Sequence, residues 1–180
     1  MDFTDKKITL TGPRVTLRIL DDSHANERYA SWLNDPEVNK FLATKSATIP
    51  ELREYIAKKH GQKDALFFGV FLKENDLFIG TVKLEPIEPD HRRATIAVMI
   101  GDKEYWGKGF AAEAMGLLCD WCFDELGLEE MNLGVIAKNT AAIRAYEKLG
   151  FTETKRDTNY IQYGDEMHDQ VWMALTRKIG

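Results

Sequence analysis

The chain has 180 residues, of which 44% are hydrophobic, and its formal net charge at pH 7 is −5. This length predicts a single domain over residues 1–180 with enough apolar side chains for a core. The negative charge argues against non-specific binding to nucleic acid or to an anionic membrane. The stretch MDFTDKKITL shows no signal peptide, and no apolar run reaches about 18 residues, so we expect a cytoplasmic protein.

The N-terminal part alternates strand and helix patterns. Residues 8–20 (ITLTGPRVTLRIL) predict a bent strand or two short strands around Gly12 and Pro13. Asp22 or Ser23 is the expected cap of a first helix, which ends near Asp35.

The segment TIPELREYIAKKHG predicts a second helix. Thr48 is its expected cap, Pro50 suits the first turn and Gly61 suits the C-terminal end. The segments ALFFGVFL, LFIGTVKL and RATIAVMI follow as three strands, the first two joined by a turn at KEND. We therefore expect an antiparallel meander in the middle of the chain.

Residues 109–126 form the longest helical pattern. Its charged residues Glu113, Asp120 and Asp124 share a narrow sector, which predicts a helix buried over most of its circumference. Cys119 and Cys122 lie on the opposite side, and a second CxxC pair that would complete a zinc ribbon is absent. We interpret both cysteines as buried core thiols, and no metal site is predicted.

The C-terminal part adds a strand at MNLGVI, a helix at NTAAIRAYEKLGF and a closing strand at QVWMALTR. Asn139 is the expected cap of this helix and Gly150 its left-handed stop, with Phe151 folding back on the last turn. A further strand is open for Thr152 to Ile161. The element order predicts a mixed α/β (α+β) domain built on one sheet.

The segment EYWGKGF places Gly107 and Gly109 between the third strand of the meander and the long helix. Backbone amides that converge at a helix N-terminus form an anion site, and glycine lets the backbone come close to a phosphate. An ordinary tight connection remains the alternative. A Walker loop is absent, and Ala112 stands where a dinucleotide-binding loop has its third glycine.

This arrangement resembles the GNAT family of acyl-CoA N-acyltransferases, and within it the branch of ribosomal-protein-acetyltransferase-like enzymes. The family's Gln/Arg-x-x-Gly-x-Gly/Ala loop matches residues 104–109, with Glu104 departing from the pattern. A second family segment matches in spacing at Asn139, Ala142, Tyr146 and residues 148–151, and SWLNDPEVNKFL resembles the entry helix of this branch.

The resemblance implies one GNAT fold: a central, mixed, mostly antiparallel sheet flanked by helices. It also implies acetyl-CoA as the acyl donor and Tyr146 as the catalytic acid that faces the sulfur. The implied donor-binding residues are Val98, Met99, Ile100, Tyr105, Trp106, Gly107, Lys108, Gly109, Phe110, Ala111, Asn139, Ala142 and Tyr146.

The family's oxyanion donor is a backbone amide within Val98–Ile100, and many relatives carry an acidic residue where this chain has Thr95. Because a threonine is no base at neutral pH, the general base stays open. The substitutes from the preceding strand and loop are Glu85, Glu88, Asp90 and His91.

The resemblance places the acceptor near Trp32, Asn34 and Phe41, with Glu85 as a further candidate, although the first three also suit packing. The expected acceptor is the primary amine of a small molecule: an amino sugar or nucleotide sugar, a polyamine or an amino acid. A protein N-terminus and a non-catalytic acyl-CoA-binding module remain alternatives. No nucleic-acid or membrane partner is expected, and a homodimer is left open.

Overall fold

The computed structural model describes residues 7–163 and 165–177. The strands are β1 (Thr9–Thr11), β2 (Val15–Ile19), β3 (Leu66–Leu72), β4 (Phe78–Glu88), β5 (Arg93–Ile100), β6 (Glu130–Ile136), β7 (Thr152–Tyr163) and β8 (Glu166–Thr176). The α-helices are α1 (Glu27–Asn34), α2 (Ile49–Gly61), α3 (Phe110–Asp124) and α4 (Thr140–Leu149).

All eight strands join one sheet in the order β1-β2-β3-β4-β5-β6-β8-β7. Neighbouring strands are antiparallel except β5 and β6, which are parallel. The predicted mixed, mostly antiparallel sheet with flanking helices is therefore confirmed, and so is the strand that was left open after Gly150.

The β5–β6 pair is short. Only Arg93–Thr95 of β5 pairs with Glu130–Asn132 of β6. Beyond these residues β5 continues along β4 as far as Ile100, and β6 continues along β8 as far as Ile136. The two strands thus diverge, which opens the middle of the sheet on the side where β5 leads into the glycine loop.

The sheet separates two apolar clusters. Leu66, Phe68 and Val70 of β3 belong to the cluster under α3, whereas Phe67 and Phe71 belong to the cluster under α1 and α2. This alternation follows from the two-residue period of a strand, whose successive side chains point to opposite faces. Helices therefore cover both faces of the sheet.

The buried position predicted for Cys119 and Cys122 is confirmed, since both lie in the cluster under α3. Burial raises the pKa of Cys119 to about 12. No group of three or more potential metal-ligating side chains occurs in the described parts of the chain. None of the helices described there has the length and apolar character that a membrane crossing requires.

Two helix starts differ in how well the sequence predicts them. Thr48 caps α2 in a reciprocal pair with Glu51, as expected. The predicted cap of the first helix at Asp22 or Ser23 is wrong, because Asp21 caps a separate 3-10 turn over Asp22–His24 and Asn26 caps α1. Several capping residues lie in a row here, and the pattern alone does not rank them.

Candidate active site

The glycine loop leaves β5 and enters α3 with two left-handed residues. Gly107 has φ of +70° and Gly109 has φ of +81°, a region that other residues adopt only with strain. Gly109 is the N-cap of α3, and no side chain caps this helix. Because the first four amides of a helix lack intrahelical acceptors, these amides and the helix dipole form a positive end suited to a phosphate.

Glu113 in the first turn of α3 holds this loop against the bend between β1 and β2. One carboxylate oxygen accepts from the amides of Arg14 and Val15 at 2.7 and 3.1 Å, and the other accepts from Nε of Arg14 at 2.7 Å. Arg14 in turn donates to the carbonyl of Lys108 at 3.0 Å and stacks on Phe110. The sequence singled out Glu113 only as a charged position, and nothing in the pattern indicated Arg14.

Partial burial would raise the pKa of Glu113, but its hydrogen bonds with Arg14 and Val15 outweigh that effect and lower the pKa. The carboxylate therefore stays charged at neutral pH, and the loop keeps its anchor.

Aromatic residues stabilise the entry to the loop. The indole Nε1 of Trp106 donates to the carbonyl of Ile100, the last residue of β5, at 2.7 Å. The ring of Tyr105 lies 5.7 Å from that of Phe110 in an edge-to-face arrangement. Trp106 is 40% exposed, so part of its indole remains available at the surface beside the loop.

The helix α4 packs against the same cluster as α3, through residues that include Ala142 and Tyr146. Asn139 caps it by accepting the amide of Ala142 at 3.3 Å, and Gly150 ends it with φ of +98°, as predicted. The amide of Phe151 donates a hydrogen bond back to the carbonyl of Tyr146 at 3.0 Å. The geometry thus confirms the capping role of Asn139, while its contact with a donor stays a prediction.

The Tyr146 ring is held 6.2 Å from Phe151 and packs on the main core. Its hydroxyl has no hydrogen-bond partner among residues 7–163 and 165–177, and burial raises its pKa to about 12. A tyrosine with this pKa carries its proton throughout the neutral range. The side chain is therefore in the state that a proton donor requires.

A cavity of about 450 Å³ lies on the other face of the sheet, between α1, α2 and the strands β3–β5. Its wall includes the aromatic rings of Tyr29, Tyr55 and Phe67, and residues of the segment 42–47. The strand β5 contributes Ala97–Met99, which includes two of the three residues predicted around the oxyanion. The cavity thus reaches the strand where the sheet opens.

Of the residues predicted to contact the acceptor, Trp32 is buried and Asn34 forms hydrogen bonds with the backbone. Trp32 is 5% exposed, and a Cβ at Gly101 would lie 2.0 Å from its indole, so it fills the space beside the end of β5. The amide nitrogen of Asn34 donates to the carbonyls of Ala30 and Ala47 at 2.8 Å, which fastens the segment 42–47 to α1. None of Trp32, Asn34 and Phe41 lines the described cavity.

Glu85 lies at an irregularity of β4 and binds two lysines. One carboxylate oxygen contacts Nζ of Lys59, and the other lies 2.8 Å from Nζ of Lys83. Burial alone would raise the pKa of Glu85, but the hydrogen bonds from Lys59 and Lys83 outweigh it and lower the pKa to about 2. So acidic a carboxyl group is a poor general base at neutral pH.

The other proposed bases lie at the wrong end of β5. Glu88 binds Arg93 at 2.8 Å, and Asp90 and His91 belong to the 3-10 turn Pro89–His91 before the strand begins. Val98 lies five positions further along the strand than Arg93, a distance of about 17 Å at the usual rise. Thr95 marks the last β5–β6 pair. These groups are therefore remote from Val98, and none of them lines the described cavity.

The cavity residues that sequence reasoning missed come from distant segments. Tyr29, Tyr55 and Lys83 line it, with Thr81 and the segment 42–47. Tyr55 and Lys83 show no motif, and their proximity arises only when α2 packs on the sheet. Near the start of β5, the cations of Arg92 and Arg93 are paired with Glu129 and Glu88.

Most of the chain is similar to known proteins of one family. Residues 14–152 match the model of the acetyltransferase (GNAT) domain family. The protein named uncharacterized N-acetyltransferase p20 of Bacillus licheniformis is 33% identical over 174 residues, covering 94% of this chain and 97% of that protein.

Two solved structures share the fold. A GNAT-family acetyltransferase from Bacillus anthracis superposes with a TM-score of 0.83 at 22% identity, covering 94% of this chain and 98% of that one. Spermidine N-acetyltransferase from Vibrio cholerae, in complex with CoA and spermine, superposes with a TM-score of 0.83 at 25% identity, covering 92% and 96%.

Proposed function

This chain belongs to the family of GNAT acetyltransferases, and we propose that it transfers the acetyl group of acetyl-CoA to the primary amine of a small molecule. Enzymes of this family use acyl-CoA, and the Vibrio cholerae structure contains CoA. The observation that carries the proposal is the passage from β5 to α3 through two left-handed glycines and an uncapped helix start.

The glycine loop is the proposed site of the CoA pyrophosphate. Gly107, Lys108, Gly109, Phe110 and Ala111 supply amides at the positive end of α3. Val98–Ile100 border the opening between β5 and β6, where an extended pantetheine arm has strand backbone beside it. Tyr105, Trp106, Asn139 and Ala142 remain predicted neighbours of the donor.

Bound acetyl-CoA supplies an activated thioester carbon. An amide of β5 within Val98–Ile100 donates a hydrogen bond to the carbonyl oxygen as that oxygen gains charge. Tyr146 gives its proton to the sulfur when the carbon–sulfur bond breaks, and water restores the proton. The amine nitrogen forms the new bond to carbon and releases its excess proton to solvent.

Solvent takes that proton because the described cavity offers no neutral-range base. Glu51 is the one acidic residue in its wall, and one of its oxygens already accepts from the amide and hydroxyl of Thr48 at 2.7 and 2.9 Å. We therefore expect kcat/KM to rise about tenfold per pH unit until the acceptor's own pKa is reached.

A thiol-release assay tests the proposal. The protein is mixed with acetyl-CoA and a panel of amino acids, amino sugars, polyamines and peptide N-termini. Turnover with a small amine supports the function, and turnover only with peptides favours the protein N-terminal alternative. Acetyl-CoA binding by calorimetry without turnover of any amine supports a non-catalytic binding module.

Three broader expectations accompany this function. We propose a single acetyltransferase domain over residues 1–180, which is supported by strands on both sides of residues 14–152 joining one sheet. We also propose a cytoplasmic location, which the substrate chemistry suits. A homodimer is a further proposal, and sedimentation analysis tests it.

A further inference from the structure

Three charged side chains meet beside the cavity. The Glu85 carboxylate lies between the ammonium groups of Lys59 and Lys83, so these three side chains together carry one net positive charge. Lys83 also lies 3.1 Å from the hydroxyl of Tyr55. Burial alone would lower the pKa of Lys83, but its hydrogen bond with Glu85 outweighs it and raises the pKa, so the ammonium stays charged.

Lys83 and Tyr55 both line the cavity, and its wall is mainly apolar. The rings of Tyr29 and Phe67 and the side chains of Leu33 and Leu52 belong to the same wall. An apolar or aromatic body can therefore be buried there, while one polar end meets Lys83 and Tyr55.

The register of the sheet places this ammonium close to the proposed reaction. Lys83 of β4 pairs with Ala97 of β5, and Thr81 pairs with Met99. Directly opposite residues of antiparallel strands lie about 4.5–5.5 Å apart and share a face. A group bound by Lys83 is thus one strand away from the β5 backbone at Val98, so the acceptor's amine and its polar end belong to a compact molecule.

The cavity does not suit a polycation. Its acidic residue in the described wall is Glu51, which is exposed and whose Oε2 atom is used in the cap of α2. A long polyamine would bring additional ammonium groups toward Lys83, and like charges at this separation repel. A monoanion instead balances the single net charge of the lysine–glutamate cluster.

Resting on the proposed function, we propose that the acceptor is a compact amino carboxylate with an apolar or aromatic side chain, whose carboxylate binds Lys83 and Tyr55. This assigns Lys83 as the residue that determines specificity for the acceptor. Glu85 then positions the ammonium and does not abstract a proton.

Kinetics with matched amines test this assignment. L-phenylalanine is compared with L-phenylalaninamide, which lacks the carboxylate, and with spermidine. In Lys83→Met we expect kcat/KM for phenylalanine to fall at least 10-fold through KM, while kcat/KM for the amide changes by less than about 3-fold. Lys63→Met, at an exposed lysine after α2, is the control and should match the parent protein.

Two further measurements keep the result decisive. Lys83→Gln retains a donor for Tyr55 but removes the charge, so it should show the same selective loss. Calorimetry with N-acetyl-L-phenylalanine and its amide reports binding without turnover, and only the carboxylate form should lose affinity in Lys83→Met. If no amine reacts, the proposed function fails and this binding difference alone decides the assignment.

Two outcomes overturn the assignment. One is a kcat/KM for spermidine above that for every amino carboxylate tested. The other is an equal loss for phenylalanine and its amide in both Lys83 variants, because a structural role would affect both acceptors alike.

Discussion

The proposed sites on the two faces of the sheet differ in the groups that form them. On the face covered by α3 and α4, the proposed donor site consists mainly of backbone amides that two glycines expose within five residues. On the face covered by α1 and α2, the cavity consists of side chains from six segments, with a lysine–glutamate cluster at its edge. Backbone sites are local in the sequence, whereas side-chain cavities are assembled by packing.

This difference predicts that substitutions can weaken donor binding and acceptor binding independently. A change in the glycine loop should alter donor affinity and leave the acceptor's binding intact, and a change in the cavity should do the reverse. Tyr146 lies on the donor face but acts where both substrates meet, so its loss should affect turnover alone.

The largest expected effect is that of Tyr146→Phe. We expect kcat to fall by about 10- to 10³-fold with acetyl-CoA affinity unchanged, because the ring still packs but the proton is lost. With its pKa raised to about 12, the parent hydroxyl stays protonated, so the deficit should be constant from pH 7 to pH 10. Steady-state kinetics across this range measure it.

Tyr160→Phe is the matched control, since Tyr160 is 52% exposed on β7. Equal turnover of Tyr146→Phe and the parent protein would show that Tyr146 only packs. A deficit that shrinks well below pH 10 would show a hydroxyl less buried than the structure indicates.

The next effect concerns stability on the acceptor face. Glu85 has an ordinary pKa of 4.5 and a pKa of about 2 in the folded protein. The contribution of the Glu85 charge to the free energy of unfolding is therefore fully present above pH 4.5 and is lost as the pH falls through about 2. Because Glu85 is partly exposed, we expect Glu85→Gln to lower the unfolding free energy at pH 7 by about 1–3 kcal/mol.

Urea unfolding at several pH values measures this difference, with Glu54→Gln at an exposed site of α2 as the control. The gap between Glu85→Gln and the parent should narrow as the pH falls through about 2. A gap that is independent of pH would mean that shape, and not charge, accounts for the loss.

Gly109→Val tests the donor face. A valine at φ of +81° strains the loop and places methyl groups beside the amides proposed to bind phosphate. We expect acetyl-CoA affinity to fall about 10-fold or more, which corresponds to about 1.4 kcal/mol. Gly61→Val is the control, because a Cβ at Gly61 has no neighbour within 4 Å.

Calorimetry on variants whose melting temperature confirms folding gives the affinities. Binding of N-acetyl-L-phenylalanine should be equal in Gly109→Val and the parent protein. Unchanged acetyl-CoA affinity in folded Gly109→Val would remove the glycine loop from the donor site.

The smallest effect separates the two roles of Asn139. Asn139→Ala removes the cap of α4 and should lower the unfolding free energy by about 1 kcal/mol, while Asn139→Ser restores most of it. Acetyl-CoA affinity should change less than about 3-fold in both variants. A large affinity loss in the stable Asn139→Ser variant would instead establish a direct contact with the donor.

Features that are formed by residues close together in the sequence could be predicted. The helix from Asn139 to Gly150 and its return at Phe151 follow from adjacent residues, and the structure confirms each of them. The glycine loop was visible for the same reason. The cap of the first helix was predicted wrongly at Asp22 or Ser23, because several neighbouring residues there can cap a helix. Asn26 forms the actual cap of α1.

The cavity could not be predicted because its residues meet only in three dimensions. Tyr55 and Lys83 are 28 positions apart, and the register of β4 against β5 becomes irregular just beyond Lys83, between Leu84 and Ile87. Trp32 was expected either to contact the acceptor or to pack, and its indole occupies the space that Gly101 leaves by having no side chain. A sequence pattern does not report which glycine faces which ring.

The short pairing of β5 with β6 also has a mechanical consequence. Three residue pairs join a five-strand half of the sheet to a three-strand half, so the boundary resists shear and opening less than the long ladders on either side. Compliance is thereby concentrated along one line through the molecule. A pantetheine arm seated along β5 would stiffen that line, so donor occupancy and the rigidity of the whole sheet would rise together.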